Sequence, residues 1–354
     1  MEVFKMKKKL FAVLLITAFA VTFGLCACSS QNDSAQEEEA ASEEQSVIDY
    51  MVLVNKENPL PDGWEEALDI VKIKDSQDWD VEVESKAYDA YLELKEDLEK
   101  EDVHVDLDSA YRSIEAQQKI VDEFTEKYGE DYVKKYVAVP GYSEHHTGLA
   151  LDLYLNIDGE DVYLNEEMVK YPEVWAKIHE KLADHGFILR YLPGKKDITG
   201  YAYEPWHIRY IGDVDAAKEI MDKGITFEEY LGKIPSHAAK VDYGSSDLYS
   251  QEEMDKAITE FKKEFENWDG CELHSIRYAG DECNSEENIK WMNEQKEGKN
   301  YTQCIEFFAD FHSPTDEEQL KDTAWEPDKE YTDYQWWLAR TDGGDWELVS
   351  WGYE

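Results

Sequence analysis

Apolar residues recur at helical spacing in three stretches of the first half of the chain. Between residues 85 and 100 they share one helical face, at Ala87, Tyr88, Tyr91, Leu92, Leu94 and Leu98. Ser113 starts a second such stretch, at 114–128. Pro172 opens a third stretch, which ends at Gly186. The spacing predicts a helix over each stretch, with charged residues on the outer face.

Alternating and continuous apolar runs predict strands between these helices. Residues 103–107 alternate apolar and polar side chains, which is typical of a strand. From 149 to 155 leucine holds every odd position, whereas Asp152 lies on the other face. A short apolar run at 50–54 predicts a further strand. Together these patterns predict one domain of mixed helices and strands over residues 47–235.

The last third of the chain has a different pattern. Residues 236–250 are predicted to form a linker, and Ser250 with Glu253 forms a capping box for a helix reaching about Trp268. Four alternating runs then predict strands at 271–278, 301–311, 334–339 and 346–351. We therefore expect a small aromatic-rich α+β domain over 251–354, with a helix on a curved antiparallel sheet. Its tryptophans are predicted to pack in the core, the alternative being a sugar- or peptide-binding face whose partner is not identified.

The N-terminus predicts export. Four lysines precede an apolar run at 10–25, so residues 1–27 are interpreted as a signal peptide. The Leu-x-Ala-Cys sequence that ends at Cys28 resembles a bacterial lipobox, which would make Cys28 a lipidated residue. Residues 28–46 are acidic and have no large apolar residue, which predicts a flexible tether. We expect a lipid anchor in the cell membrane, with the domains on the extracytoplasmic side; an uncleaved membrane anchor is the alternative.

The charge of the chain excludes one class of function. Its 354 residues carry 81 acidic against 36 basic side chains, a formal charge of -45. Such a polyanion is not held to DNA or RNA by neutralising phosphates, so no nucleic-acid partner is expected. An oxidising compartment would permit one disulfide among Cys271, Cys283 and Cys304, but their spacing does not assign the pair.

Histidine and acidic residues cluster in two short segments. His145 lies in a glycine-bounded loop, and Asp152 follows seven residues later on a predicted strand. Glu204 and His207 stand three apart, and Pro205 places Glu204 at a strand start or bend, where both side chains can converge. Two imidazoles and one carboxylate with an open position are the ligand set of a catalytic zinc, and an unligated Glu can serve as base. The alternative is that these are core histidines and an Asp that caps a turn.

Three motifs in this region resemble those of a known family. They are Ser143-x-His145-x-x-Gly148-x-Ala150-x-Asp152, Glu204-x-x-His207 and Ser109-x-Tyr111-Arg112-Ser113. Over residues 48–235 the chain resembles the VanY-type zinc D-alanyl-D-alanine carboxypeptidases, which trim the terminal D-Ala of bacterial cell-wall stem peptides. His146 is a departure, because the family usually has Gln there; we expect it to change a pocket edge and to point away from the metal.

The resemblance implies an α+β fold, with a small central antiparallel sheet flanked by helices, and a role for each of seven residues. They are the zinc ligands His145, Asp152 and His207, the general base Glu204, the oxyanion-binding Arg112, and the substrate-binding Gln117 and Ser143. For Arg112 the alternative is a salt bridge with Asp108 or Glu115.

The function expected from this resemblance is that of a membrane-tethered zinc metallocarboxypeptidase. It would remove the C-terminal D-Ala from peptidoglycan stem peptides by attack of a zinc-activated water. Two alternatives stay open. One is an L,D-carboxypeptidase that acts on tetrapeptide stems, and the other is a non-catalytic lipoprotein that binds the cell wall.

Overall fold

The computed structural model describes residues 48–130, 132–133, 137–321, 323 and 325–353. The predicted signal peptide at 1–27, the lipidation site Cys28 and the tether at 28–46 lie outside the described residues. Within these ranges no helix has both the length and the apolar character needed to cross a bilayer. We refer to residues 48–235 as the N-terminal domain and to residues 240–353 as the C-terminal domain.

The N-terminal domain contains two antiparallel sheets in its described part. A five-stranded sheet follows the order β3-β4-β7-β6, with β5 paired to β4, and a separate hairpin joins β1 to β2. The strands are β1 (Ile70–Lys74), β2 (Asp80–Glu84), β3 (His104–Ser109), β4 (Ala150–Ile157), β5 (Glu160–Val162), β6 (Phe187–Leu189) and β7 (His207–Tyr210). Because β4 lies between β3 and β7, it is a central strand of the larger sheet.

Helices surround this sheet. They are α1 (Trp64–Ala67), α2 (Ser85–Glu99), α3 (Ile114–Tyr128), α4 (Asn165–Met168), α5 (Pro172–Leu182), α6 (Lys196–Thr199), α7 (Val214–Lys223) and α8 (Phe227–Tyr230). The helices predicted near 85–100, at 114–128 and from Pro172 are confirmed. The third ends in a short 3-10 turn before Gly186, whose φ of 72° is left-handed.

Side-chain caps and an apolar stripe explain why α2 and α3 form. The carboxylate of Glu84 accepts a hydrogen bond from Ala87 N at the start of α2, and Ser113 Oγ accepts one from Ala116 N at the start of α3. One stripe of α2 is buried in the domain core, at Ala87, Tyr91, Leu94 and Leu98. The predicted amphipathic spacing therefore faces the core as expected.

Strand β4 is buried on both faces. Leu151 and Leu153 are fully buried, and so is Tyr154, which lies on the same face as Asp152. The loop between β1 and β2 covers Tyr154, since Ser76 Oγ lies 2.6 Å from its hydroxyl and Trp79 contacts its ring. Asp152 is therefore set into an enclosed surface at the start of this strand.

Two expectations from the sequence are wrong. Residues 50–54 form a turn and irregular backbone rather than a strand. The backbone carbonyl oxygens of Tyr50 and Val52 accept hydrogen bonds from Arg209 Nη2, at 2.9 and 2.7 Å, instead of from a neighbouring strand. The sequence also favours a solvated surface for His179 and His185. Instead His179 Nε2 lies 2.9 Å from Pro205 O, and His185 Nε2 lies 3.0 Å from Asp97 Oδ2.

The C-terminal domain is a five-stranded sheet with helices packed against it, in the described residues. The sheet order is β12-β11-β10-β9-β8, antiparallel except where β8 meets β9. Its elements are β8 (Lys240–Asp242), α9 (Gln251–Phe265), β9 (Glu272–Tyr278), α10 (Glu286–Gln295), β10 (Gln303–His312), β11 (Glu330–Arg340) and β12 (Glu347–Gly352). Two of these elements are not predicted by the sequence pattern. Helix α10 has a charged sequence and fully buries only Met292, and β8 lies in the predicted linker.

Most aromatic residues of this domain pack inward. Phe261 of α9 stacks on Trp336, which is fully buried, whereas Trp351 on the edge strand is 42% exposed. The described cysteines Cys271, Cys283 and Cys304 are free thiols, and Cys304 Sγ lies 3.1 Å from the carbonyl oxygen of Cys283. The structure therefore assigns no disulfide to the described part of the chain.

Burial along α2 gives a direct test of the packing. Leu94 is fully buried and Leu92, on the same helix, is 45% exposed. We expect Leu94→Ala to lower the free energy of unfolding by about 2–5 kcal/mol, because it removes core contacts and leaves a cavity. Leu92→Ala, the matched control, should lower it by less than about 1 kcal/mol. Urea unfolding followed by circular dichroism measures both, and equal losses would contradict the packing described.

Candidate active site

Three adjacent strands bring the predicted site residues together. In the sheet register Asp152 of β4 lies opposite Ser109 of β3 on one side and opposite His207 of β7 on the other. Residues directly opposite each other on antiparallel strands have side chains on the same face, about 4.5–5.5 Å apart at Cβ. The pairing of β4 with β7 therefore places the Asp152 carboxylate beside the His207 ring.

A short 3-10 helix, Glu144–Thr147, brings His145 to the same point. It ends at Gly148, whose φ of +71° is left-handed and whose position leaves little room, since an added Cβ would lie 3.2 Å from Glu84 Cβ. Both features favour glycine there. The chain then enters β4 directly, so His145 and Asp152 stand at the two ends of one tight turn.

The three side chains form a cluster that can hold a metal ion. One donor atom from each of His145, Asp152 and His207 lies within 4.8 Å of the other two. His145 Nε2 is 3.2 Å from Asp152 Oδ2, and His207 Nδ1 is 2.9 Å from Asp152 Oδ1. Asp152 Oδ1 is buried and makes no hydrogen bond to any residue that the structure describes. A buried carboxylate oxygen without a hydrogen bond is what a metal ligand looks like before the metal is added.

The second nitrogen of each imidazole has its own partner. His145 Nδ1 lies 2.7 Å from the carbonyl oxygen of Ala110, so it carries the proton and leaves the Nε2 lone pair for a metal. His207 Nε2 lies 3.2 Å from Glu144 Oε2, so it donates to that carboxylate and leaves Nδ1 for the metal. Such partners fix the tautomer and the orientation of metal-binding histidines. Both rings therefore aim their free nitrogens at one point.

Glu144 is a further residue of the site, and it was not predicted from the sequence. Its carboxylate is buried and accepts hydrogen bonds from Arg190 Nε and Arg209 Nη1, each at 2.8 Å. Arg190 is held in turn by Glu228, at 2.6 and 2.9 Å. Its place between Ser143 and His145 was the only signal in the sequence.

The electrostatics of the cluster favour positive charge. Burial would raise the pKa of Asp152, but the neighbouring His145 and His207 hold it well below its usual range. Burial would likewise lower the pKa of His207, but Asp152 and Glu144 raise it to about 10. The carboxylates thus stabilise a cation at this point, which a divalent metal supplies.

The donor set fits zinc. Two imidazole nitrogens and one carboxylate oxygen, with a fourth position open, are the ligands of catalytic zinc sites. The Asp152 carboxylate and the two oriented imidazoles supply these donors. Zinc is the cofactor of this site.

Glu204 lies beside the cluster as predicted. Its Oε2 is 3.9 Å from His207 Nδ1, and its carboxylate is partly exposed. A turn at Pro205 and Trp206 separates it from β7, with His207 N donating to Glu204 O at 3.2 Å. This bend lets side chains three residues apart converge, which a flat strand would prevent.

Arg112 and Gln117 form one hydrogen-bonded pair. Arg112 Nη1 donates to Gln117 Oε1 at 2.8 Å, and the Gln117 amide donates to the carbonyl oxygen of Ala138 at 2.8 Å. Arg112 N also donates to His145 O at 3.1 Å, which ties the arginine to the 3-10 helix. Ser143, also buried, precedes that helix without capping it through its hydroxyl.

His146, in the same 3-10 helix, is buried. Its Nδ1 lies 2.5 Å from Arg112 O, and its Nε2 accepts a hydrogen bond from Gly141 N at 3.1 Å. The ring therefore joins the backbone of Arg112 to the loop before Ser143. Both ring nitrogens contact backbone groups, and His146 is not among the three side chains of the cluster.

Known proteins share this region of the chain. The family model for VanY, D-alanyl-D-alanine carboxypeptidase, matches residues 80–213. The YodJ protein of Bacillus subtilis (strain 168) is 36% identical over 195 residues, which cover 54% of this chain and 70% of YodJ. A D-alanyl-D-alanine carboxypeptidase of Enterococcus faecalis (strain ATCC 700802 / V583) is 34% identical over 190 residues, 51% of this chain and 65% of the relative.

A solved structure is similar over the same half. It is a vancomycin-resistance D,D-pentapeptidase VanY in complex with Zn(II), 34% identical, with 51% of this chain and 98% of that chain covered and a TM-score of 0.41. The match of the family model and the extent of the identity to YodJ lead to one conclusion. The chain belongs to the VanY family of D-alanyl-D-alanine carboxypeptidases.

Proposed function

We propose that this protein is a membrane-tethered zinc carboxypeptidase that removes the C-terminal D-Ala from peptidoglycan stem peptides. The observation that carries the proposal is the convergence of His145, Asp152 and His207 with Glu204 beside them. A member of the VanY family that keeps three ligands and an adjacent carboxylate has the parts needed for metal-assisted hydrolysis.

Glu204 is the proposed general base and acid. When bound, zinc supplies a Lewis acid and lowers the pKa of a water in the open position toward ~7. Glu204 takes a proton from the attacking water while the water oxygen adds to the scissile carbonyl carbon. It then gives that proton to the nitrogen of the departing D-Ala as the carbon–nitrogen bond breaks. Its partial exposure at the edge of the cluster leaves room for the substrate.

Arg112 is the proposed partner of the developing oxyanion. Its guanidinium is always charged and is oriented by Gln117. Removing a preorganised donor of this kind typically costs about 10²–10³ in rate. Gln117 has both ends of its amide engaged, so we propose that it acts on the substrate by orienting Arg112. Ser143 is the other proposed substrate-binding residue.

The membrane tether is proposed from the sequence. A lipid on Cys28 and an acidic tether at 28–46 would hold the peptidase at the outer face of the membrane, where stem peptides are accessible. The negative charge of the chain would also keep the flexible segment extended.

Two alternatives remain for the experiment to separate. An L,D-carboxypeptidase would use the same ligands and base on a tetrapeptide stem, with a pocket shaped for a diamino acid. A non-catalytic wall-binding lipoprotein has no need for a base and an oriented arginine beside the ligands. The presence of the metal ligands, the proposed base and the oriented arginine together therefore supports an enzyme.

Defined stem peptides distinguish these functions. We expect the zinc-loaded protein to release D-Ala from a pentapeptide stem, as measured by mass spectrometry, and a chelator to stop the release. Release from the tetrapeptide alone would establish the L,D-specificity instead. Stoichiometric zinc without release from either peptide would contradict the proposed enzyme.

Replacing the proposed base should remove turnover and leave the metal. We expect Glu204→Gln to lower kcat/KM about 10²- to 10⁴-fold, since the amide cannot accept the proton. Zinc content by atomic absorption should match the wild type, because Glu204 is not a ligand. Glu180→Gln, an exposed acid on α5, is the control and should keep full activity. Wild-type rates in Glu204→Gln would refute the assignment.

The carboxylate behind His207 should control zinc affinity. We expect Glu144→Gln to weaken zinc binding about 10- to 100-fold, because His207 loses its charged hydrogen-bond acceptor. Glu228→Gln is the matched control, because it removes a buried carboxylate that pairs with Arg190 but does not contact His207. Competition with a chromophoric chelator gives both dissociation constants. An equal loss of zinc affinity in the two variants would show that Glu144 acts only through the general stability of the fold.

A further inference from the structure

The proposed base lies in one long connection between neighbouring strands. Residues 190–206, here called the β6–β7 connector, join β6 to β7 and include Tyr191, Tyr201 and Glu204. The Tyr191 ring lies 4.7 Å from the His207 ring and 4.7 Å from the Tyr201 ring, between centroids. The position of this connector therefore sets the position of the proposed base relative to the metal ligands.

The first part of the connector packs directly on the C-terminal domain. An added Cβ on Gly194 would lie 2.9 Å from the carbonyl oxygen of Thr259 and 3.3 Å from Lys262 Cβ, both on α9. Gly194 also has a left-handed φ of +71°. A glycine in this conformation allows the connector and the helix to approach more closely than a side chain would permit.

Charged groups of the C-terminal domain hold the same segment. Lys262 Nζ lies 3.0 and 2.9 Å from the two carboxylate oxygens of Asp197, and the side chains are only 9% and 17% exposed. Glu266 Oε1 accepts a hydrogen bond from Lys196 N at 3.0 Å, and Asp197 Oδ2 accepts one from Ala239 N at 3.1 Å. The short helix α6 is thus fixed from outside its own domain.

Helix α6 transmits this anchoring toward the site. Thr199 Oγ1, in its last turn, accepts a hydrogen bond from Tyr201 N at 3.2 Å. Lys56 Nζ donates to Gly200 O at 2.7 Å and lies 4.7 Å from the centre of the Tyr201 ring. Only two residues then separate Tyr201 from Glu204. A shift of α6 would therefore move Tyr201 and Glu204 relative to the metal ligands.

We propose that the C-terminal domain positions the β6–β7 connector for catalysis, with Lys262 and Glu266 as positioning residues. Neither residue is proposed to touch the substrate; each fixes α6, which fixes Tyr201 and Glu204. A nearly buried ion pair such as Lys262–Asp197 gains little net stability, because its desolvation offsets its attraction. Its strict geometry instead defines how the two domains meet. The proposal rests on the proposed function for its kinetic part.

The test compares Lys262→Met with two matched variants in the full-length chain. Lys262→Arg keeps the charge, and Lys263→Met removes an exposed lysine from the same helix. Amide hydrogen exchange of residues 194–206, zinc content, and kcat and KM on the stem peptide are measured for each. We expect Lys262→Met to speed exchange in the connector and lower kcat about 10- to 100-fold with zinc retained. Lys262→Arg should recover most of the rate, and Lys263→Met should match the wild type.

The outcomes separate this proposal from the proposed function. Unchanged exchange and kcat in Lys262→Met would overturn the positioning role. If the wild type releases no D-Ala, the proposed function fails, while hydrogen exchange still decides whether Lys262 fixes the connector. If Lys262→Met does not fold, Glu266→Ala gives the same comparison, because it removes the carboxylate that accepts hydrogen bonds from the connector backbone at Lys196 and Gly194.

Discussion

The pairing of Asp152 with His207 across strands β4 and β7 is the constraint on which the rest of the site depends. The sheet register fixes these two ligands with respect to each other, and the 3-10 helix that ends at Gly148 adds His145 to the same point. Glu144, on that helix, orients His207 from behind. The backbone of the sheet and one short turn thus preorganise the metal ligands, so little rearrangement is needed when zinc binds.

Buried charged groups hold His207 of this pair in place. Glu144, Arg190, Arg209 and Glu228 are fully buried within the N-terminal domain. Charges removed from water are costly unless each has partners, and here each carboxylate faces a guanidinium at hydrogen-bond distance. The central carboxylate of this network, Glu144, is shared with His207. A surface carboxylate in the same role would be screened by water and less well fixed.

The sequence predicts the parts of this site that local patterns specify. Helix α3 follows from its apolar spacing, and the convergence of Glu204 with His207 follows from the bend that Pro205 imposes. Glu144 could not be predicted, because the chain has 81 acidic residues and only the fold shows which one is buried behind a ligand. The run at 50–54 has a strand-like composition, but two of its carbonyl groups accept hydrogen bonds from Arg209, which lies on a strand far along the chain. Contacts of this long range leave no signal in local periodicity.

The proposed metal ligands are tested most directly by the zinc coordination shell of the loaded protein. X-ray absorption at the zinc edge reports the number and type of ligands through their distances. We expect two imidazole nitrogens at about 2.0–2.1 Å with oxygen ligands at similar distance, and loss of one imidazole in His207→Ala. A sulfur shell near ~2.3 Å, or an unchanged imidazole count in that variant, would contradict the proposed ligands.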